Sequence, residues 1–172
     1  PHQALGCSDC LAPLLNDFDS ALFLSKPGLG KTTFLRDFVR QLSNKGFNVL
    51  VLDDRFELSG TNNRKQYLDL GACSDVVVGL PKSMIYANHL RTMRPDIVAS
   101  DEVFGKAEVA AILDAKRCGV KVVASLHCDD LEQLAQNDDY RPLVQNVRYL
   151  IMIKGIGLVD YVYDRKLKKC IL

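Results

Sequence analysis

A three-layer α/β fold with a mostly parallel central sheet is what this chain predicts. Three observations carry the expectation. Short, continuously apolar runs alternate with stretches of helical periodicity, the pattern of parallel strands that are buried on both faces and joined by crossover helices. One apolar run opens into a glycine-rich turn followed by a helical pattern, "LFLSKPGLGKTT" at residues 22–33. Another, "DIVASDE" at 96–102, ends in two adjacent carboxylates. At 172 residues the chain is long enough for a real core. Its 48% hydrophobic and 25% charged residues are ordinary globular composition. A formal net charge of +1 gives no electrostatic argument for a nucleic-acid or membrane-surface partner, and no apolar run reaches the length of a bilayer span. Residues 1–172 are expected to form a single domain. The chain begins with Pro1 rather than Met and reads as a piece from which an N-terminal domain is missing.

The elements follow in order. "ALFLS" (21–25) is a short buried strand. Residues 31–44 place Phe34, Leu35, Phe38, Val39 and Leu42 on one helical face, with Gly46 as the stop. "NVLVLD" (48–53) is a second strand. Residues 54–74 are polar and irregular, and 75–79 form a further short strand. Pro81 suits the first turn of a helix running to about Met93. A strand at 96–102, a helix at 106–118 closed by Gly119, and a strand at 120–127 come next. A weaker helical stretch broken by Pro142 follows. Strands at 147–155 and 157–164 meet at a Gly turn, and the lysine-rich end reads as an edge strand. Six cysteines are scattered through the chain and are expected as free thiols. Cys7 and Cys10 have metal-ligand spacing, but no second pair completes a tetrahedral site. The plainer reading is two buried small residues on one helix.

The loop at 25–33 carries the first chemistry. Its pattern is that of a phosphate-binding loop, except that Ser25 stands where the usual first glycine stands. Gly28 and Gly30 let the backbone curl so that successive N–H groups face phosphate oxygens, and the following helix adds its positive end. Ser25, Lys26, Pro27, Gly28, Leu29, Gly30, Lys31, Thr32 and Thr33 form the expected nucleotide-binding stretch. Lys31 offers a point charge to the β- and γ-phosphates, and Thr32 a hydroxyl to Mg²⁺.

Asp101 is expected at the end of its strand, holding the Mg²⁺ shell. Glu102 is either the group that orients and deprotonates a water or a cap for the segment that follows. The phosphate loop favours the first. Ser125 and His127 end the next strand. In the P-loop division with an Asp-Glu pair, that strand inserts between the Asp-Glu strand and the loop strand, which puts both residues beside the γ-phosphate. A His there can sense the phosphate. Arg55 and Glu57, with Asp53 and Asp54, lie on the same sheet edge, where open parallel sheets bind ligands. They touch nucleotide, a neighbouring subunit or only each other. Arg91 and Arg94 are either transition-state arginines or solvated surface charges.

Taken together, "GCSDCLAPLL", "KPGLGKTTFLRDFVRQLS", "LDDRFEL", "LRTMRPDIVASDEV", "GVKVVASLH", "DLEQL" and "GLVDYVYD" run in order over nearly the whole chain. The chain resembles the stage III sporulation protein AA family, ATPases of endospore-forming bacteria related to the secretion ATPases. The resemblance implies a RecA-like P-loop NTPase core, ATP and Mg²⁺ as ligands, and a homo-oligomer, hexameric at full length. It also implies sporulation channel proteins at the membrane as partners, a cytoplasmic location peripheral to that membrane, and a part in powering the complex between mother cell and forespore. By this likeness Lys31 and Thr32 take the loop roles, Glu102 the catalytic base, His127 the His-box role, and Arg55 and Glu57 the acidic-box region. Two other readings stay open. One is a small nucleotide kinase using residues 54–74 as a lid. The other is a RecA-type nucleic-acid motor, which lacks an obvious basic stripe with interleaved aromatics.

Overall fold

A computed structural model of the chain describes residues 3–60, 65, 66, 68–79, 82, 90, 92–164 and 166–170. Among these, eight strands form one sheet. They are β1 (Ser20–Ser25), β2 (Val49–Asp53), β3 (Ser74–Val78), β4 (Ile97–Ser100), β5 (Lys121–His127), β6 (Tyr149–Gly155), β7 (Leu158–Asp164) and β8 (Lys169–Cys170). The spatial order is β3-β2-β4-β5-β1-β6-β7-β8. The first six in that order are parallel, and β7 and β8 add an antiparallel edge. The helices are α1 (Lys31–Asn44), α2 (Gly105–Arg117), α3 (Leu131–Gln136) and α4 (Arg141–Asn146), with a 3-10 segment over Asp9–Leu15. The expected class is therefore the observed one, and β5 lies between β4 and β1 as anticipated.

Strand alternation explains the three layers. Ala21, Phe23, Val49, Val51, Ile97, Ala99 and Val123 point to one face, where they meet Phe34, Leu35, Phe38 and Leu42 of α1 and Leu11, Leu14 and Leu15 of the 3-10 segment. Leu22, Leu24, Leu50, Leu52, Val98, Val122 and Ala124 point to the other, where Val109, Ile112 and Ala115 of α2 cover them with Leu134, Leu143 and Val144. Because neighbouring residues serve opposite cores, the central strands must be apolar throughout, and all five residues of β2 are buried. On the α1 side the Phe23 and Phe38 rings meet edge-on at 5.4 Å, which adds to simple area burial.

Several details depart from expectation. β4 stops at Ser100, so Asp101 and Glu102 lie just past the strand. Pro142 does not break a helix. It sits in the first turn of α4, where its missing N–H costs nothing. Cys7 lies in a turn, half-buried, and Cys10 is exposed within the 3-10 segment, so they are not a buried pair on one helix. Among the described residues no cluster of metal-ligating side chains forms, and no helix is long and apolar enough to cross a membrane. The helix expected over 81–93, with Arg91, falls mostly outside the described residues.

Candidate active site

The parallel order brings the carboxyl ends of β1, β5, β4 and β2 to one edge, the usual ligand-binding position of such sheets. β1 ends at Ser25, aligned with His127 at the end of β5. The chain then turns through Gly28 at φ +79° and Gly30 at φ +86°. Both angles lie in the left-handed region that a side chain disfavours. Around Gly28 nothing lies within 4 Å of where a Cβ would stand, whereas at Gly30 that position falls 2.5 Å from Ile156 Cγ1. The two glycines thus answer different demands: one leaves open space in the loop, the other admits the β6–β7 turn. Lys26, Pro27 and Gly28 form an exposed rim, and Leu29, Gly30, Thr32 and Thr33 are half-buried.

Lys31 opens α1 and is buried. Its ammonium donates to the Ser25 carbonyl (3.3 Å) and hydroxyl (3.4 Å) and to His127 Nδ1 at 2.8 Å. Burial pulls its pKa down from the ordinary value, and the Asp101 and Glu102 carboxylates oppose that pull. An ammonium only donates, so Nδ1 must accept, and the ring proton sits on Nε2. That nitrogen lies 3.1 Å from Glu102 Oε1 and donates to it. The other Glu102 oxygen meets Arg55. A continuous line of contacts therefore runs Lys31–His127–Glu102–Arg55.

Glu102 itself has φ +46°, a conformation that costs a non-glycine residue about 1–3 kcal/mol and persists only where neighbours enforce it. Its N–H reaches Asp101 Oδ1 at 3.1 Å and Ser125 Oγ at 3.0 Å, and the Ser125 hydroxyl donates to the same Asp101 oxygen. Ser125 is fully buried. Its hydroxyl bonds the Asp101 carboxylate and the Glu102 N–H, so it serves as a tie between β5 and the end of β4. Among the described residues, Asp101 Oδ2 takes no hydrogen bond. That carboxylate oxygen and the Thr32 hydroxyl are hard oxygen donors of the kind Mg²⁺ prefers, so the residues fit that ion.

Sequence reasoning placed the residues after β2 at this edge, and the structure gives them distinct work. Asp53 is buried and accepts from the Glu57 N–H (2.8 Å), the Ser59 N–H (2.8 Å) and the Ser59 hydroxyl (2.6 Å), so it shapes the loop instead of facing a ligand. Buried Arg36 of α1 donates to the carbonyls of Leu58 (2.8 Å) and Glu57 (2.6 Å), fastening the same loop to α1. Glu57 is exposed and engaged through its backbone. Arg94 is exposed, beyond the helix end at φ +44°. The thiol of Cys128, next to His127, is pushed up to about 11 by burial and is a poor nucleophile.

One residue was missed. Lys82 is buried, and its ammonium meets the Asp101 carbonyl, the Glu102 carbonyl at 3.2 Å, Asp54 Oδ1 at 3.4 Å and Glu108 Oε1 at 3.9 Å. Burial raises the Glu108 pKa against the opposing effects of the Phe104 N–H and Lys82. No motif carries Lys82, since it binds main-chain oxygens.

Residues 1–170 match the family described as "Sporulation stage III, protein AA". Stage III sporulation protein AA of Bacillus subtilis (strain 168) is 30% identical, over 95% of this chain and 57% of that one. The uncharacterized protein ycf45 of Cyanidium caldarium is 27% identical, over 99% of this chain and 50% of that one. Among solved structures, the VirB11 ATPase of the Brucella suis type IV secretion system superposes with a TM-score of 0.68 at 15% identity, covering 92% of this chain and 54% of that one. The pilus retraction motor PilT does so with a TM-score of 0.64 at 17% identity, covering 86% and 46%. The chain thus has the fold of these ATPases, and it spans about half the length of the curated relatives it matches. It belongs to the sporulation stage III protein AA family.

Proposed function

From that family membership and the site geometry, we propose that this chain is the ATP-hydrolysing part of a Mg²⁺-dependent motor that works in sporulation. The observation that carries the reading is the line Lys31–His127–Glu102, which joins the phosphate-loop lysine to a carboxylate through one imidazole. Lys31 presents its charge where the β- and γ-phosphates of a nucleotide lie against the loop N–H groups. Glu102 orients a water and accepts its proton. Thr32 and Asp101 would hold Mg²⁺, which would supply positive charge against the phosphates. His127 reports occupancy: a phosphate that draws Lys31 away leaves Nδ1 without its donor and frees Nε2–H to shift.

A ring of copies, with hydrolysis altering how this part sits against the remainder of a longer chain, is part of the proposal; membership of the family and a fold shared with a secretion ATPase and a pilus retraction motor support it. Work on a channel between mother cell and forespore, in the cytoplasm beside the membrane, belongs to the same proposal. The single-domain reading of residues 1–172, preceded by a further domain, is part of it. Lys31→Ala tests the site: nucleotide binding is lost if the loop is the phosphate cradle, and retention of wild-type affinity refutes it. Light scattering of the full-length protein with and without nucleotide tests the ring.

A further inference from the structure

We propose that Lys82 is a positioning residue for the Asp101–Glu102 pair: its buried ammonium, set against the two main-chain carbonyls, holds the left-handed backbone that aims the Glu102 carboxylate. This inference rests on the reading of Glu102 as the base. An ammonium has three donors, and four acceptors surround this one. The two carbonyls lie within hydrogen-bond distance, while the Asp54 and Glu108 carboxylates stand farther off at 3.4 and 3.9 Å. The side chain is 2% exposed, so water does not compete freely for those carbonyls. From the other side, Asp101 Oδ1 and Ser125 Oγ hold the Glu102 N–H, and the Ser125 carbonyl takes the Val103 N–H at 2.8 Å.

Each polar main-chain group from the Asp101 carbonyl to the Val103 N–H is thereby tied. A residue at φ +46° requires that degree of enforcement. Without the ammonium, two inward-facing carbonyls lose their donor, and the peptide after Glu102 is free to relax toward the right-handed region. The direction of the Glu102 Cα–Cβ bond then changes, and its carboxylate leaves His127. Among the described residues Lys82 bonds to neither the phosphate loop nor the imidazole, so its effect reaches them through the Asp101–Glu102 backbone.

The test compares ATP turnover and nucleotide affinity in the full-length protein. Lys82→Met, which keeps the apolar stem, is expected to lose about 10–100-fold in turnover, the scale of an ångström-sized misplacement. Affinity should stay within about threefold. In a Glu102→Gln background the same change should remove nothing further. Glu108→Gln and Asp54→Asn, which leave the carbonyl contacts intact, should keep turnover within about threefold. Should Lys82→Met not fold, Lys82→Gln carries the test, because its amide donates to one carbonyl. It should show an intermediate loss at unchanged affinity, and wild-type turnover overturns the inference. Wild-type turnover in Lys82→Met beside an inactive Glu102→Gln overturns the positioning role and leaves the base standing. Equal losses of affinity and turnover overturn it as a general structural defect. Full turnover in Glu102→Gln overturns the base, and the inference with it.

Discussion

Gly30→Ala separates two costs that coincide at one position. The native φ is +86°, and an L side chain there costs roughly 1–2 kcal/mol. A Cβ would also stand 2.5 Å from Ile156 Cγ1, against a normal carbon–carbon contact of about 3.5–4.0 Å. Overpacking costs about 1–3 kcal/mol. Ile156 is 56% exposed and can swing outward, which puts the overlap near the low end. The sum is about 2–4 kcal/mol, a fall in melting temperature of roughly 5–15 °C for a chain of this size. In an Ile156→Ala background the overlap vanishes and the conformational part remains, so the cost should drop to about 1–2 kcal/mol. Urea unfolding of the four proteins in the cycle, with unchanged m-values, measures it. An equal Gly30→Ala cost in both backgrounds refutes the claim that the β6–β7 turn seats on the loop.

Other changes probe other links. Gly28→Ala meets no neighbour. It should cost only about 1–2 kcal/mol of stability while lowering nucleotide affinity at least about tenfold, because the new methyl enters the space where phosphate meets the loop; titration of a nucleotide analogue reads this. Asp37 is buried. Burial alone would raise its pKa, but bonds from the Ser8 hydroxyl and N–H, Arg40 and the Gly6 N–H outweigh that and lower it. A lowered folded pKa means stability that is present above the unfolded carboxyl value and is lost as pH falls through the folded one. Asp37→Asn should therefore cost about 1.5–3 kcal/mol at neutral pH and flatten the acid limb of the stability–pH curve below about pH 4. An unchanged acid limb refutes it. Arg55→Ala removes a partly exposed ion pair with Glu102 and should change stability by no more than about 1 kcal/mol, as urea unfolding would show.

How much of this was legible in the residues differs from element to element. α1 begins at Lys31 and ends at Asn44 as its periodicity and glycine stop indicate, because its apolar stripe and its turn chemistry agree. The insertion of β5 beside β1 followed from the Asp-Glu pair, since that pairing accompanies a particular strand order. Asp53 was harder. A carboxylate at a strand end reads alike whether it faces a ligand or caps a loop, and only the Ser59 and Glu57 N–H groups decide. Pro142 misled because proline ends one helix and begins the next with equal readiness. Lys82 was invisible because backbone carbonyls have no residue type. The φ of Glu102 was equally hidden, since nothing in Asp-Glu-Val announces a left-handed residue.

In the proposed function Glu102 activates water beside a nucleotide held by Lys31. Turnover and nucleotide affinity of Glu102→Gln, measured on full-length assembled protein, test that directly. The change keeps the shape of the side chain and removes its basicity. Affinity should stay within about threefold of wild type, and turnover should fall by a factor on the order of 10²–10⁴, the usual contribution of a general base. Hydrolysis at the wild-type rate contradicts the account.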